Sequence, residues 1–143
     1  MIRILVVSND VVGLTQTLSV LGEAGYHVTG ASSFEEARQL VATGSTDLVI
    51  ADQRLGQFNG LHVILRARAQ SPSLSAIVTT RASDRGFENE ARSLHVECIV
   101  TPKNPRGWLA PVAKVLARRR VISCPAAGVG RRPASRGRIS TAA

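Results

Sequence analysis

The sequence predicts an α/β fold: a doubly wound, five-stranded parallel sheet with helices on both faces. Three observations predict it. Five short apolar runs recur at intervals that suit strand–helix repeats, and the segments between them place apolar residues at helical spacing. Three of the runs are nearly continuous rather than alternating, as in strands covered on both faces. Repeats of this kind close an open parallel sheet by right-handed crossovers.

The elements follow in order. Ile2–Val7 is the first strand, and Val11–Ala24 a helix with Val11, Leu14, Leu18 and Leu21 on one stripe. His27–Gly30 is the second strand. Phe34–Val41 is a helix capped by Ser32 or Ser33, with Glu35 and Glu36 in its first turn, where negative charge suits the helix dipole. Leu48–Ala51 is the third strand; Leu61, Ile64 and Leu65 mark the third helix, with Asn59 as cap. Ala76–Thr79 is the fourth strand, and Phe87, Ala91 and Leu94 mark a helix started by Ser83-Asp84. Cys98–Val100 is the fifth strand. Trp108, Val112, Val115 and Leu116 mark the last helix, where Pro111 is tolerable only in the first turn. Gly25 and Gly44 stand where helices end.

The charge is unevenly spread. The chain of 143 residues has a formal net charge of +8, yet residues 1–117 hold 11 basic and 10 acidic side chains. From Arg118 onward there are seven arginines and no acid. Residues 1–118 therefore read as the domain, and 119–143, rich in Ala, Gly, Arg, Ser and Pro, as a tail that composition makes disordered. The tail admits three readings: electrostatic binding of nucleic acid, docking on an acidic protein surface, or a solvated extension. It lacks aromatic residues for stacking on bases.

Other classes are excluded or left without support. Cys98 and Cys124 match no metal-ligand spacing, and Cys98 reads as a small buried hydrophobe. No secretory leader pattern opens the chain and no apolar run reaches membrane length, so the expected compartment is the cytoplasm, with no membrane partner. His27, His62 and His95 fall on different elements and share no catalytic or metal spacing. Ser8 to Gly13 lacks the glycine pattern of a dinucleotide-binding turn.

In an open α/β sheet the ligand site lies beyond the carboxyl ends of the strands. The residues there are Ser8-Asn9-Asp10, Ala31-Ser32, Asp52, Thr80-Arg81 and Thr101-Pro102-Lys103. Asp47–Leu55 followed by Asn59-Gly60-Leu61, with Asp52 and Gly60 eight residues apart, resembles the acceptor strand and loop of a response-regulator receiver domain (CheY-like, two-component signalling). Arg3–Val7, Gly25–Val28 with Ala31, Glu35–Ala37 and Ile77–Thr80 resemble that family's other elements in the same order, over residues 1 to 118.

The resemblance implies a flavodoxin-like (βα)5 fold and a stand-alone regulatory module rather than an enzyme, capable at most of self-catalysed phosphoryl transfer. It implies Asp52 as acceptor of a phosphoryl group from a histidine kinase or phosphotransfer protein. It implies Thr80 as the switch hydroxyl, Lys103 as a phosphate contact, and Mg²⁺ held by Asp52, Asp10, Asn9 and the Arg54 backbone carbonyl. A downstream protein would read the face of the fourth helix, fifth strand and fifth helix.

Departures from the family pattern sit around Asp52. Ser8 and Asn9 stand where two acids normally hold the metal, so Mg²⁺ binding should be weak. Counted from Thr80, Pro102 falls at the lysine position, with Lys103 one residue late, and Gly56 replaces a frequent proline. Asp10 reads equally as a helix cap. Arg54 and Arg81 either draw in phosphate or pair with acids such as Asp84. The alternative to a phosphoacceptor is a pseudo-receiver, the same fold used as a phosphorylation-independent binding module.

Overall fold

The strands β1 (Arg3–Val7), β2 (His27–Ala31), β3 (Leu48–Asp52), β6 (Ser75–Thr80) and β7 (Glu97–Val100) pair in parallel, in the order β2-β1-β3-β6-β7. The computed structural model describes residues 2–43 and 46–123, with side chains to Arg118. The expectations at Gly44, Cys124 and the tail residues 124–143 lie outside the described residues. Residues 1–111 form one unit; the described part of the second, residues 112–143, is the remainder of α5 (Leu109–Ser123).

Burial explains the continuous apolar runs. Leu48–Ala51 of β3 and Ala76–Thr80 of β6 are buried throughout, because these central strands are covered on both faces. The edge strands β2 and β7 are only partly buried. Alternate residues face opposite sides of the sheet. Leu5, Val7, Val49, Ala51, Ala76 and Val78 join the core shared with α2 (Phe34–Val41), α3 (Gly60–Gln70) and α4 (Arg85–Ser93). On the other face, α1 (Val11–Glu23) sets Leu14 and Leu18 against Gly30, where a Cβ would lie 2.7 Å from Leu18 Cδ1.

Local chemistry fixes the helix ends. Asn59 accepts from the backbone N–H of Leu61 and His62, while His62 Nδ1 accepts from Asn59 N–H, a reciprocal cap on α3. Ser33 caps α2 through Glu36 N–H, and Asp84 caps α4 through Phe87 N–H. At the end of α1, Gly25 N–H bonds Gly22 O and Tyr26 N–H bonds Leu21 O, with Gly25 at φ +100°. The end of α4 repeats this pattern with His95 at φ +57°, its N–H on Arg92 O and that of Val96 on Ala91 O. Arg68 of α3 closes that end, donating to the carbonyls of Leu94 and His95.

Four details depart from the sequence reading. Val11 is 63% exposed, while Thr17 joins Leu14, Leu18 and Leu21 on the packed face of α1. Leu65 is exposed, while Val63 joins Leu61, Ile64 and Ala67 on the buried face of α3. Trp108 belongs to a short 3-10 turn (Pro105–Trp108) capped by Asn104, so Pro111 falls in the first turn of α5. The helix then runs past residue 118 to Ser123, since Arg118-Arg119-Arg120 are good helix formers and the next proline is Pro125.

A two-stranded hairpin was absent from the sequence reading: β4 (Arg54–Leu55) pairs antiparallel with β5 (Phe58–Asn59). Gly56 supplies the positive φ of +65° at the first position of its two-residue turn. Phe58 stacks on Phe34 with ring centroids 4.1 Å apart and meets His62 edge-on.

Candidate functional site

Strand order reverses between β1 and β3, so the carboxyl ends of these two strands flank the switch point. In register, Val7 pairs with Ala51, and Ser8 and Asp52 follow one step beyond. Asp52 in turn pairs with Thr79 of β6. Three adjacent strand ends therefore line up Ser8, Asp52 and Thr79 side by side.

Hydrogen bonds join that row. Ser8 Oγ donates to Asp52 Oδ2 at 2.5 Å, and Thr79 Oγ1 donates to Asp52 Oδ1 at 2.8 Å. Ser8 Oγ also accepts from Asp10 N–H at 3.1 Å, and Ser8 N–H bonds Ala31 O at 3.0 Å. Ser8 and Thr79 are buried and Asp52 is partly buried. Each carboxylate oxygen thus holds a hydroxyl proton from its own chain.

The hydroxyl nearest the acceptor position belongs to Thr79, one residue before the expected Thr80. Thr80 is equally buried, but its strand position turns it away from Asp52, and its carbonyl accepts from both N–H and Oγ1 of Thr101. Pro102, which falls at the lysine position counted from Thr80, lies in the loop after β7 next to Thr101. Lys103 is exposed in the loop beyond.

Asp10 occupies the N-cap position of α1, yet its side chain makes no capping hydrogen bond. Its Oδ2 would lie 2.7 Å from a Cβ on Gly13, so the carboxylate leans over the first helical turn, where the dipole favours negative charge. Asn9 is exposed. Gln53 Nε2 donates to Asp84 Oδ2 at 3.0 Å. The Phe87 N–H and then the Gln53 amide hold the Asp84 carboxyl below its ordinary value, with a smaller contribution from the charge of Arg54. Arg54 thus acts on Asp84 by charge, while Arg81 is exposed. Burial pushes the Cys98 thiol up, helped by the negative charges of Glu88, Asp84 and Glu97.

Gly60 shapes the floor of the site. A Cβ there would lie 2.5 Å from the Asp52 carbonyl oxygen and 3.0 Å from Ala51 Cβ, so α3 starts directly against the acceptor strand.

The donor set does not fit a hard divalent cation. Among the described residues, no group of three or more His, Cys, Asp or Glu side chains is placed to hold a metal. Of the expected ligands only Asp52 and Asp10 are carboxylates; each Asp52 oxygen accepts a hydrogen bond from a hydroxyl, and Asp10 leans over its helix. Mg²⁺ is commonly held by one or two carboxylates with water completing its shell, and the lean of Asp10 leaves Asp52 as the one expected carboxylate at the strand ends. Among the described residues, no helix is long and apolar enough to cross a membrane.

Comparison with known proteins agrees with the fold. The alginate biosynthesis transcriptional regulatory protein AlgB of Pseudomonas aeruginosa is 32% identical over 122 residues, covering 85% of this chain and 27% of its own length. The chain thus spans about a quarter of that relative. A CheY-like receiver domain protein from Methanospirillum hungatei superposes with a TM-score of 0.78 at 22% identity, covering 86% of this chain and 99% of that one. The response regulator TrrA of Thermotoga maritima, solved with Mg²⁺-BeF, gives 0.70 at 28% identity over 80% of this chain and 99% of its own. Residues 4–105 match the response regulator receiver domain family, to which the chain therefore belongs.

Proposed function

We propose that this receiver domain signals within a two-component system by protein–protein contact, in a form that does not depend on Mg²⁺-assisted phosphorylation of Asp52. The observation that carries this reading is the double occupation of the Asp52 carboxylate by the hydroxyls of Ser8 and Thr79. A phosphoryl group approaching a carboxylate meets like charge, and this chain offers neither the acid pair that would recruit a cation nor a lysine at the position that Pro102 takes. Its partners on this reading are cytoplasmic: a histidine kinase or phosphotransfer protein, and a downstream protein that reads the surface of α4 and β7.

The phosphoacceptor reading is the second, favoured by Asp52 itself at the carboxyl end of β3 with a hydroxyl in reach. Intact mass spectrometry after incubation with a small-molecule phosphodonor and Mg²⁺ separates the two. The expected outcome is an unmodified chain. An adduct of one phosphoryl group, absent in Asp52→Ala, would establish the phosphoacceptor instead.

A further inference from the structure

We infer that the Ser8 hydroxyl proton takes the place of a cation at Asp52: the site binds no Mg²⁺, and Ser8 is the residue that positions Asp52 against Thr79. This rests on the contact-signalling reading above and extends it to how the site is held. The strand register puts residue 8 beside Asp52 whatever its identity. A second acid there would set two like charges side by side, an arrangement that demands a bound cation or a proton. Serine removes that charge and brings its own proton.

The geometry of Ser8 fits the task. Its N–H is tied to Ala31 O, its Oγ accepts from Asp10 N–H, and its single proton goes to Asp52 Oδ2 at 2.5 Å, the length of a charge-assisted O–H···O⁻ bond. Both roles of the hydroxyl are therefore taken, and the residue is 8% exposed. With Oδ2 fixed by Ser8, Oδ1 faces Thr79 and accepts its proton. A cation entering at Oδ2 would share that oxygen with the Ser8 proton, which already offsets part of its negative charge. It would gain only the scattered oxygens already described.

The consequence concerns regulation. In the receiver pattern, movement of the switch hydroxyl toward the acceptor is what repacks the partner-reading face. Here Thr79 already donates to the bare Asp52 carboxylate, so a hydroxyl rests on that residue without a phosphoryl group.

The test is a Mg²⁺ titration of the full chain, followed through the amide resonances of Ser8, Asp52, Gln53 and Thr79. The wild-type shifts should not saturate and should match those of Asp52→Ala. Ser8→Asp/Asn9→Asp should acquire a saturable response that the wild type lacks. Without Mg²⁺, Ser8→Ala should move the Thr79 amide and hydroxyl resonances, and Ser8→Thr should restore them. A saturable wild-type response lost in Asp52→Ala would overturn the inference, as would a Thr79 environment unmoved by Ser8→Ala. If the acidic double variant does not fold, the comparison of wild type with Asp52→Ala still decides. A phosphoryl adduct with a flat titration would sink the contact reading and leave Ser8 in place; saturable Mg²⁺ binding sinks the Ser8 inference whatever the mass spectrum shows.

Discussion

Thr79 of β6 donates its hydroxyl proton to Asp52 of β3 at 2.8 Å, across strands whose register sets the two residues directly side by side. Thr80, its immediate neighbour in β6, is buried to the same degree but falls on the opposite face of the strand by alternation. The two threonines therefore separate experimentally. Thr79→Val leaves Asp52 Oδ1 without its donor and should lower stability by about 1.5–3 kcal/mol, the usual worth of a hydrogen bond to a charged group. Thr80→Val keeps the shape and touches no bond to Asp52, so urea unfolding should place it well above Thr79→Val. Equal losses would contradict the register.

Gly60 gives a second expectation. An alanine methyl would sit 2.5 Å from the Asp52 carbonyl oxygen, and both contacts are with the body of β3 rather than a mobile side chain. Gly60→Ala should cost about 1–3 kcal/mol as overpacking and should shift the Asp52 amide resonance. Gly86→Ala, whose new methyl would meet only the Asp84 carboxylate at 3.6 Å, is the control and should not disturb Asp52.

The ends of α1 and α4 make the same pair of hydrogen bonds, one through Gly25 and the other through His95 in left-handed backbone. A side chain in that region costs about 1–2 kcal/mol. His95→Gly should therefore raise the urea midpoint, with a gain of about 1 kcal/mol after the added freedom of the unfolded chain is counted. Gly25→Ala should lower it. A loss on His95→Gly would mean that the exposed imidazole holds the turn in some other way.

Asp84 supplies the pH dependence. Its carboxyl is held below the ordinary value by Phe87 N–H and then by Gln53, so its folded pKa lies under its unfolded one. Its contribution to stability is therefore complete above the ordinary aspartate value near about 3.9 and is lost as pH falls through the lower folded value. Hydrogen-exchange protection at Phe87 should fall over that acidic window. In Asp84→Asn, which still caps but does not titrate, the step should disappear.

Much of this was legible in the chain. The continuous apolar runs of β1, β3 and β6 located the central strands, and Ser33, Asn59 and Asp84 marked their helix starts through side chains that cap locally. What the sequence left open were choices that depend on pairing. β6 is buried on both faces, so no polar alternation tells which of two adjacent threonines faces Asp52; the β3 register decides. The hairpin of β4 and β5 has two residues per strand, too few for any period to register. The turn after α4 carries a histidine where glycine would have announced it, and it is secured by Arg68 from 26 residues earlier in the chain.

Gly60 also bears on how inheritance in this chain should be read. Its lack of a side chain is demanded by the backbone of β3, whatever the carboxylate above it does. A lineage could abandon acceptor chemistry altogether and still be unable to change residue 60 without displacing Asp52. The spacing between Asp52 and Gly60 is therefore a fossil of packing, durable for mechanical reasons, and a poor witness to reactivity. Ser8, Asn9 and Pro102, for which no such steric demand of the backbone is seen, are the positions where a departure from the family pattern is legible.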